Sequence, residues 1–420
     1  MAVRKDELVR GADVRYRFRH GGFDFWFQWA LAASVHGGSE PGECFFVATR
    51  ISDGDPDSWV REWTDLGVRL EQRAEQALVR GHRVTARESY LRAYHYQRLA
   101  LLYLNVADAS YRSRWTRAVG CFRAGTALLD TPVEQVAVPF EGTTLPGYFL
   151  RPGDSGIRRP TLIMVGGGDT FVEDLYFYIG PAAVSRGYQV LLVDLPGQGG
   201  LPFAGLPMRA DAEVPMPAVV DHVLSRPDVD PDTLAAFGIS AGGYLVPRAI
   251  TREPRIKACI AASAIPDFHE YMTQGDPKAE RNARLLEFWP ILALLRRRMR
   301  AKMILIDSYL WRWGVTSPST LLATLRTFVF DPAQIACPLL LLIGQAEFDR
   351  APVSRAAQHF CLEQARSARK NLVVCPYADG GWGHALVTNL GLMSHHVFDW
   401  LDEVFAPAAA DHGDATRNTG

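Results

Sequence analysis

Residues 233–245, TLAAFGISAGGYL, constrain this chain more than any other stretch. Leu234–Phe237 is a short apolar run. Gly238-Ile239-Ser240-Ala241-Gly242 follows it directly and leads into a segment of helical composition. Strand, tight turn and helix in that order are the setting in which G-x-S-x-G lifts a serine hydroxyl above a sheet. The turn strains the serine backbone, and bulk at the flanking positions would forbid it. Gly238, Gly242 and Gly243 remove that bulk. Ser240 is therefore a candidate nucleophile. The N–H of Ala241, at the helix start, is a candidate oxyanion donor. A bare G-x-S-x-G is common, so the rest of the chain has to supply the partners that a serine needs.

From residue 131 to 405, strand-like and helix-like runs alternate. VEQVAVPFEGTTLPGYFL reads as two strands around the Glu141-Gly142 turn. PTLIMVGGG, YQVLLVDLPGQGG, RIKACIAASAI, PLLLLIGQAEFD and NLVVCPY read as buried strands, with helical patterns between them. This predicts an α/β fold, a mostly parallel doubly wound sheet covered on both faces. Residues 268–335 interrupt the alternation with helical sequence carrying Trp289, Trp311, Trp313 and the basic run Arg296-Arg297-Arg298. That position suits a lid over the strand C-termini, with the arginines on a solvated face. Residues 1–130 read as an N-terminal helical cap module. One of its helices runs through SWVREWTDLGVRLEQRAEQALVRG with a cap at Asp57-Ser58. Another follows a capping box from Thr85 to Glu88. Residues 406–420, APAAADHGDATRNTG, read as a disordered tail.

A serine hydroxyl needs a base, and the base needs an orienting acid. With this elbow the expected chain order is serine, acid, histidine. Asp349 lies just past the strand PLLLLIG, with Glu347 two residues earlier as the runner-up. Of the histidines that follow, only His384 comes after a strand and inside a Gly-rich loop, ADGGWGHAL. The prediction is Ser240 on one imidazole nitrogen and Asp349 on the other. Gly167 and Gly168, in the loop after PTLIMV, are placed to complete the oxyanion hole. The pattern G-x-x-x-x-G-K-[ST] is absent from that loop, which argues against a phosphate cradle, and G-x-G-x-x-G is not found there. Tyr94 and Thr170 are candidate substrate contacts, although buried aromatics of the cap are more often core.

Composition excludes several other classes. The net charge of −1 implies neither a nucleic-acid nor an anionic-membrane partner. No apolar run has the length of a membrane span, and the first residues carry no secretory h-region. The six cysteines are scattered with no C-x-x-C, which suits reduced core thiols in a cytoplasmic protein with no metal.

With elbow, acid and histidine loop in place, the chain resembles the α/β-hydrolase superfamily. It is most similar to the FrsA-like branch, which includes 2,6-dihydropseudooxynicotine hydrolase and fungal polyketide-shortening hydrolases. The resemblance rests on the helical N-terminal module, ARESYLRAYHYQ, the VDLPGQG turn at 193–199 and the His384 loop. GGGDTFVED resembles that branch's G-G-x-E-S-x-x-E, with Asp169 in place of its glutamate and Thr170 in place of its serine. The acid loop departs from the branch by two extra residues between Gly344 and Asp349. The resemblance implies hydrolysis of an ester, or of a carbon–carbon bond beside a carbonyl, in a small metabolite. No cofactor is implied, and Asp169 would donate or relay a proton. An acyl-eliminating lyase on the same machinery and a non-catalytic binding protein are the alternatives. A homodimer is plausible by analogy.

Overall fold

The computed structural model describes residues 14–131, 133–153 and 156–406. Five helices come first: α1 (Gly21–Ala32), α2 (Pro41–Arg50), α3 (Pro56–Val79), α4 (Arg83–Leu101) and α5 (Tyr111–Thr126). Their sequence explains the burial. FDFWFQWA is apolar around the whole helix, and α1 is correspondingly enclosed. Two helix starts differ from expectation. α3 begins at Pro56, because Asp55 accepts from the N–H groups of Asp57 and Ser58 and proline suits the first helical position. α4 begins at Arg83 behind His82 with no side-chain cap, so Thr85 already lies inside the helix.

The sheet follows: β1 (Val133–Phe140), β2 (Thr143–Leu150), β3 (Arg159–Val165), α6 (Val172–Ser185), β4 (Gln189–Val193), α7 (Pro215–Leu224), β5 (Val229–Ile239), α8 (Gly242–Ile250) and β6 (Ala258–Ala262). A helical excursion then runs through α9 (Phe268–Thr273), α10 (Ala279–Glu287), α11 (Trp289–Arg298), α12 (Arg300–Trp313) and α13 (Pro318–Leu325). The chain returns as β7 (Leu339–Gly344), α14 (Gln345–Arg350), α15 (Pro352–Gln364), β8 (Lys370–Cys375) and α16 (Leu390–Phe405). The eight strands lie in the order β1-β2-β4-β3-β5-β6-β7-β8. Only the β1–β2 and β2–β4 pairs are antiparallel. Alternation along the strands divides two cores. Leu162, Met164, Val190, Leu192, Phe237 and Ile239 join the N-terminal helices on one face. Ile163, Val165, Leu191 and Val193 join α7 and α8 on the other. The tail expected at 406–420 lies outside the described residues beyond Ala406.

The N-terminal helices are fastened to the sheet by a buried polar knot. Tyr94 and Arg98, one turn apart on α4, both reach Asp174 in the first turn of α6. The Tyr94 hydroxyl donates to Oδ1 at 2.7 Å, and Arg98 Nε donates to Oδ2 at 2.9 Å. Asp174 Oδ2 also accepts from the Phe171 N–H at 3.0 Å. Tyr94 is fully buried, stacked on Phe177, and its hydroxyl is committed to Asp174. The expectation that Tyr94 touches substrate is therefore corrected: it is a packing and anchoring residue. Removing one partner of a buried ion pair strands the other. Asp174→Ala is expected to destabilise the fold by about 3–5 kcal/mol, measured by denaturant unfolding.

All six cysteines are free, and five are buried. Among the described residues no helix is long and apolar enough to cross a membrane. Arg296, Arg297 and Arg298 are exposed on the lid, where Arg296 pairs with Asp307.

Candidate active site

β5 lies between β3 and β6, and all three run parallel, so their C-terminal loops open on one side of the sheet. Ser240, the first residue past β5, has φ of +55°, a left-handed conformation uncommon outside glycine. Two backbone bonds hold it there. Its N–H donates to the Ala262 carbonyl at 3.0 Å, and its carbonyl accepts from Gly243 N–H at 2.7 Å. The flanking glycines are steric requirements. A Cβ at Gly238 would collide with the Gly242 carbonyl, and one at Gly242 would lie 2.5 Å from the Val165 oxygen.

His384 enters from the loop after β8. Its Nε2 lies 2.9 Å from Ser240 Oγ, and its Nδ1 lies 2.9 Å from Glu347 Oε2. The carboxylate accepts from Nδ1–H, which leaves the Nε2 lone pair facing the serine hydroxyl. Glu347 is wholly buried, and its Oε2 also accepts from Ser263 Oγ at 2.7 Å. Ser263 Oγ in turn accepts from the Ala385 N–H at 3.2 Å. One hydroxyl at the end of β6 thus fixes the acid and the backbone beside the histidine. Ser263, Ala385 and Leu386 all have positive φ, so this strained corner depends on such bonds. Loss of a hydrogen bond to a charged group costs roughly 1.5–3 kcal/mol. Ser263→Ala is expected to lower kcat by about 10- to 100-fold, read in steady-state kinetics with folding checked by circular dichroism.

The loop after β3 faces the elbow. A Cβ built on Gly167 would sit 3.5 Å from Ser240 Oγ. Gln198, from the VDLPGQG turn, donates to the carbonyls of Gly166 at 2.6 Å and Gly167 at 3.0 Å. In a trans peptide the N–H points opposite to the C=O. Pinning those carbonyls therefore turns the Gly167 and Gly168 N–H groups away from Gln198. From the lid, the Trp313 ring lies 3.2 Å from the Cβ position of Gly168, and the Tyr271 ring is 6.3 Å from that of His384. Asp169 lines a cavity of about 280 Å³ between the N-terminal helices and α12; Ser240 and His384 do not line it.

The chain is 32% identical over 406 residues to hydrolase LUC6 of a Fusarium species, covering 91% of this chain and 96% of the relative. The chain belongs to the α/β-hydrolase family. This α/β-hydrolase is equally similar, at 32% and the same coverage, to 20-hydroxy-prefusarin hydrolase FUS2 of Gibberella moniliformis. The prolyl oligopeptidase family profile matches residues 177–282. The solved 2,6-dihydroxy-pseudo-oxynicotine hydrolase shares the fold with a TM-score of 0.69 at 21% identity, over 90% of this chain and 96% of that one.

Two site expectations for this hydrolase are corrected. Asp349 is exposed, and Glu347 holds the histidine. The reason is that the chain turns helical directly after β7, so positions 347 and 349 point about 200° apart. One faces the sheet and the other faces solvent. The sequence carried a signal for this, since choosing Glu347 removes the two extra residues that set Asp349 apart. Thr170 is the second correction. Its hydroxyl donates to the Gly167 carbonyl at 3.1 Å, so it shapes the loop and is not presented to a ligand. Ser263 and Gln198 escaped sequence reasoning, because nothing local marks a strand-end serine or a turn glutamine as a brace.

Proposed function

We propose that this α/β-hydrolase cleaves a carbonyl-bearing small metabolite, at an ester or a 1,3-dicarbonyl carbon–carbon bond, through an acyl intermediate on Ser240. The observation that carries the reading is the unbroken line from Ser240 Oγ through His384 to the buried Glu347. Ser240 attacks the carbonyl carbon while His384 Nε2 takes its proton. Glu347 stabilises the imidazolium formed. The N–H groups of Ala241, Gly167 and Gly168 are assigned to the oxyanion. Collapse expels an alcohol, or a carbon leaving group as its enolate, and the proton from His384 goes to the leaving atom. Water then adds to the acyl carbon with His384 again as base, which frees the acid product and Ser240.

The relative named for 20-hydroxy-prefusarin supports a discrete metabolite over a polymer. Asp169, at the wall of the cavity between the N-terminal helices and α12, is assigned to relaying the proton to a carbon leaving group. Asp169→Asn is expected to slow cleavage of a 1,3-diketone on the order of 10²-fold; turnover within about twofold would remove Asp169 from the mechanism. A fluorophosphonate probe is expected to label Ser240 and no other residue, as mapped by peptide mass spectrometry. Turnover in oxygen-18 water is expected to place label in the acid product. An unlabelled product would mean elimination without hydrolysis, and a folded protein that resists the probe would mean binding without catalysis.

A further inference from the structure

The cavity at Asp169 is lined by several basic side chains. Arg98, Arg298, Arg300, Lys302 and Arg312 line it, against the single carboxylate of Asp169. Arg98 is paired with Asp174, and Arg300 makes a two-pronged contact with Asp57 at 2.7 Å. Arg312 is different. It is 2% exposed, deep under the lid on α12. Its Nη1 donates to the Gly197 carbonyl at a long 3.3 Å, and its Nε has no hydrogen-bond partner among the described residues. The guanidinium lies 5.5 Å from the centre of the Phe171 ring, which carries Arg98 as well, at 4.3 Å. Burial, with Arg98 beside it, pulls Arg312 below the ordinary arginine range, against the opposing pull of Tyr111, Asp169 and Asp194. A buried guanidinium with an unmet donor is costly unless an anion completes it.

We infer that Arg312 holds the carboxylate of an acidic substrate, whose scissile carbonyl extends past Asp169 toward Ser240. The inference rests on the hydrolase reading above for which bond is cut, but the anion subsite is separable from it. Arg312 is next in sequence to Trp313, whose ring covers Gly168 beside the elbow. Asp169, the neighbour of Gly168 in the loop that faces Ser240, lines the cavity together with Arg312, so a carboxylate held there sits on the side of that loop away from Ser240. Leu101, Leu102, Met299 and Leu305 line the same cavity, so the chain attached to that carboxylate is apolar. One desolvated guanidinium near a carboxylate suits a monoanion. A phosphate, with about twice the charge, draws several donors and would meet repulsion from Asp169.

The test uses the Ser240→Ala protein, which binds without turnover, and two ligands of equal length: monoethyl adipate, an anion, and diethyl adipate, neutral. Calorimetry is expected to show the monoester bound about 10- to 100-fold more tightly, the range for a hydrogen bond to a charged group. Adding Arg312→Met is expected to bring the ratio close to one, and Arg312→Lys to leave an intermediate ratio. Equal affinities in the parent protein, no binding of the monoester, or a ratio unchanged by Arg312→Met would each overturn the inference. The parent comparison stands even where a variant fails to fold. If the monoester is preferred while the fluorophosphonate probe leaves Ser240 unlabelled in the parent enzyme, the anion subsite holds and the hydrolase reading fails.

Discussion

Ser240→Ala is expected to lower kcat for ester hydrolysis by about 10⁶-fold, with unchanged circular dichroism and thermal midpoint. The size follows from what the hydroxyl does. In the proposed mechanism it forms the acyl intermediate, and its removal leaves the proposed oxyanion donors and substrate positioning. His384→Ala is expected to cost a similar factor, because without a base 2.9 Å away the hydroxyl keeps its proton. The two losses are not additive. The double variant is expected to be no slower than either single one, since the serine and the imidazole act as one unit. Steady-state kinetics on a chromogenic ester of a short acid provides the measurement. A Ser240→Ala protein retaining more than about one per cent of wild-type kcat, purified free of contaminating esterase, would place the nucleophile elsewhere.

Glu347→Ala is expected to lower kcat by about 10⁴-fold, whereas Asp349→Ala leaves it within about twofold. The two residues are separated by one position in sequence and differ entirely in setting. Glu347 is wholly buried and touches His384 Nδ1, while Asp349 is exposed. Without Glu347 the imidazole loses the partner that selects its tautomer and the charge that balances the imidazolium. Ser263 Oγ then faces an emptied site, and the Ala385 backbone that depends on it loosens. Glu347→Gln is expected to recover stability more than rate, because the amide fills the space but cannot carry the charge. Equal losses at 347 and 349 would contradict the assignment.

The contrast between those two positions shows where sequence reasoning reaches its limit. The elbow was legible because its steric demands are local: Gly238 and Gly242 are needed by atoms only a few residues away or on the next strand. The buried strands were legible because a parallel sheet covered on both faces requires unbroken apolar runs. His384 could be picked out by its place after a strand and within a glycine-rich loop. The choice between Glu347 and Asp349 turned on whether the chain coils immediately after β7, and that depends on contacts with the loop at Trp382 and Gly383. The Ala346 N–H donates to the Trp382 carbonyl at 3.2 Å, and Gly344, with no Cβ, leaves room for the carbonyls of Trp382 and Gly383. Tyr94 presented the same difficulty. An aromatic on a cap helix can face a pocket or a neighbouring helix, and only the position of Asp174 on α6 fixes which.

The amino-acid sequence alone determined the order of strands and helices, the turn that carries Ser240, and the histidine loop, because each follows from periodicity or sterics within a short window. Tertiary structure alone decided which carboxylate orients His384, that Ser263 and Gln198 brace the site, and that Arg312 is buried with an unmet donor. Those outcomes are set by distances between segments tens to hundreds of residues apart, and no local pattern encodes such distances.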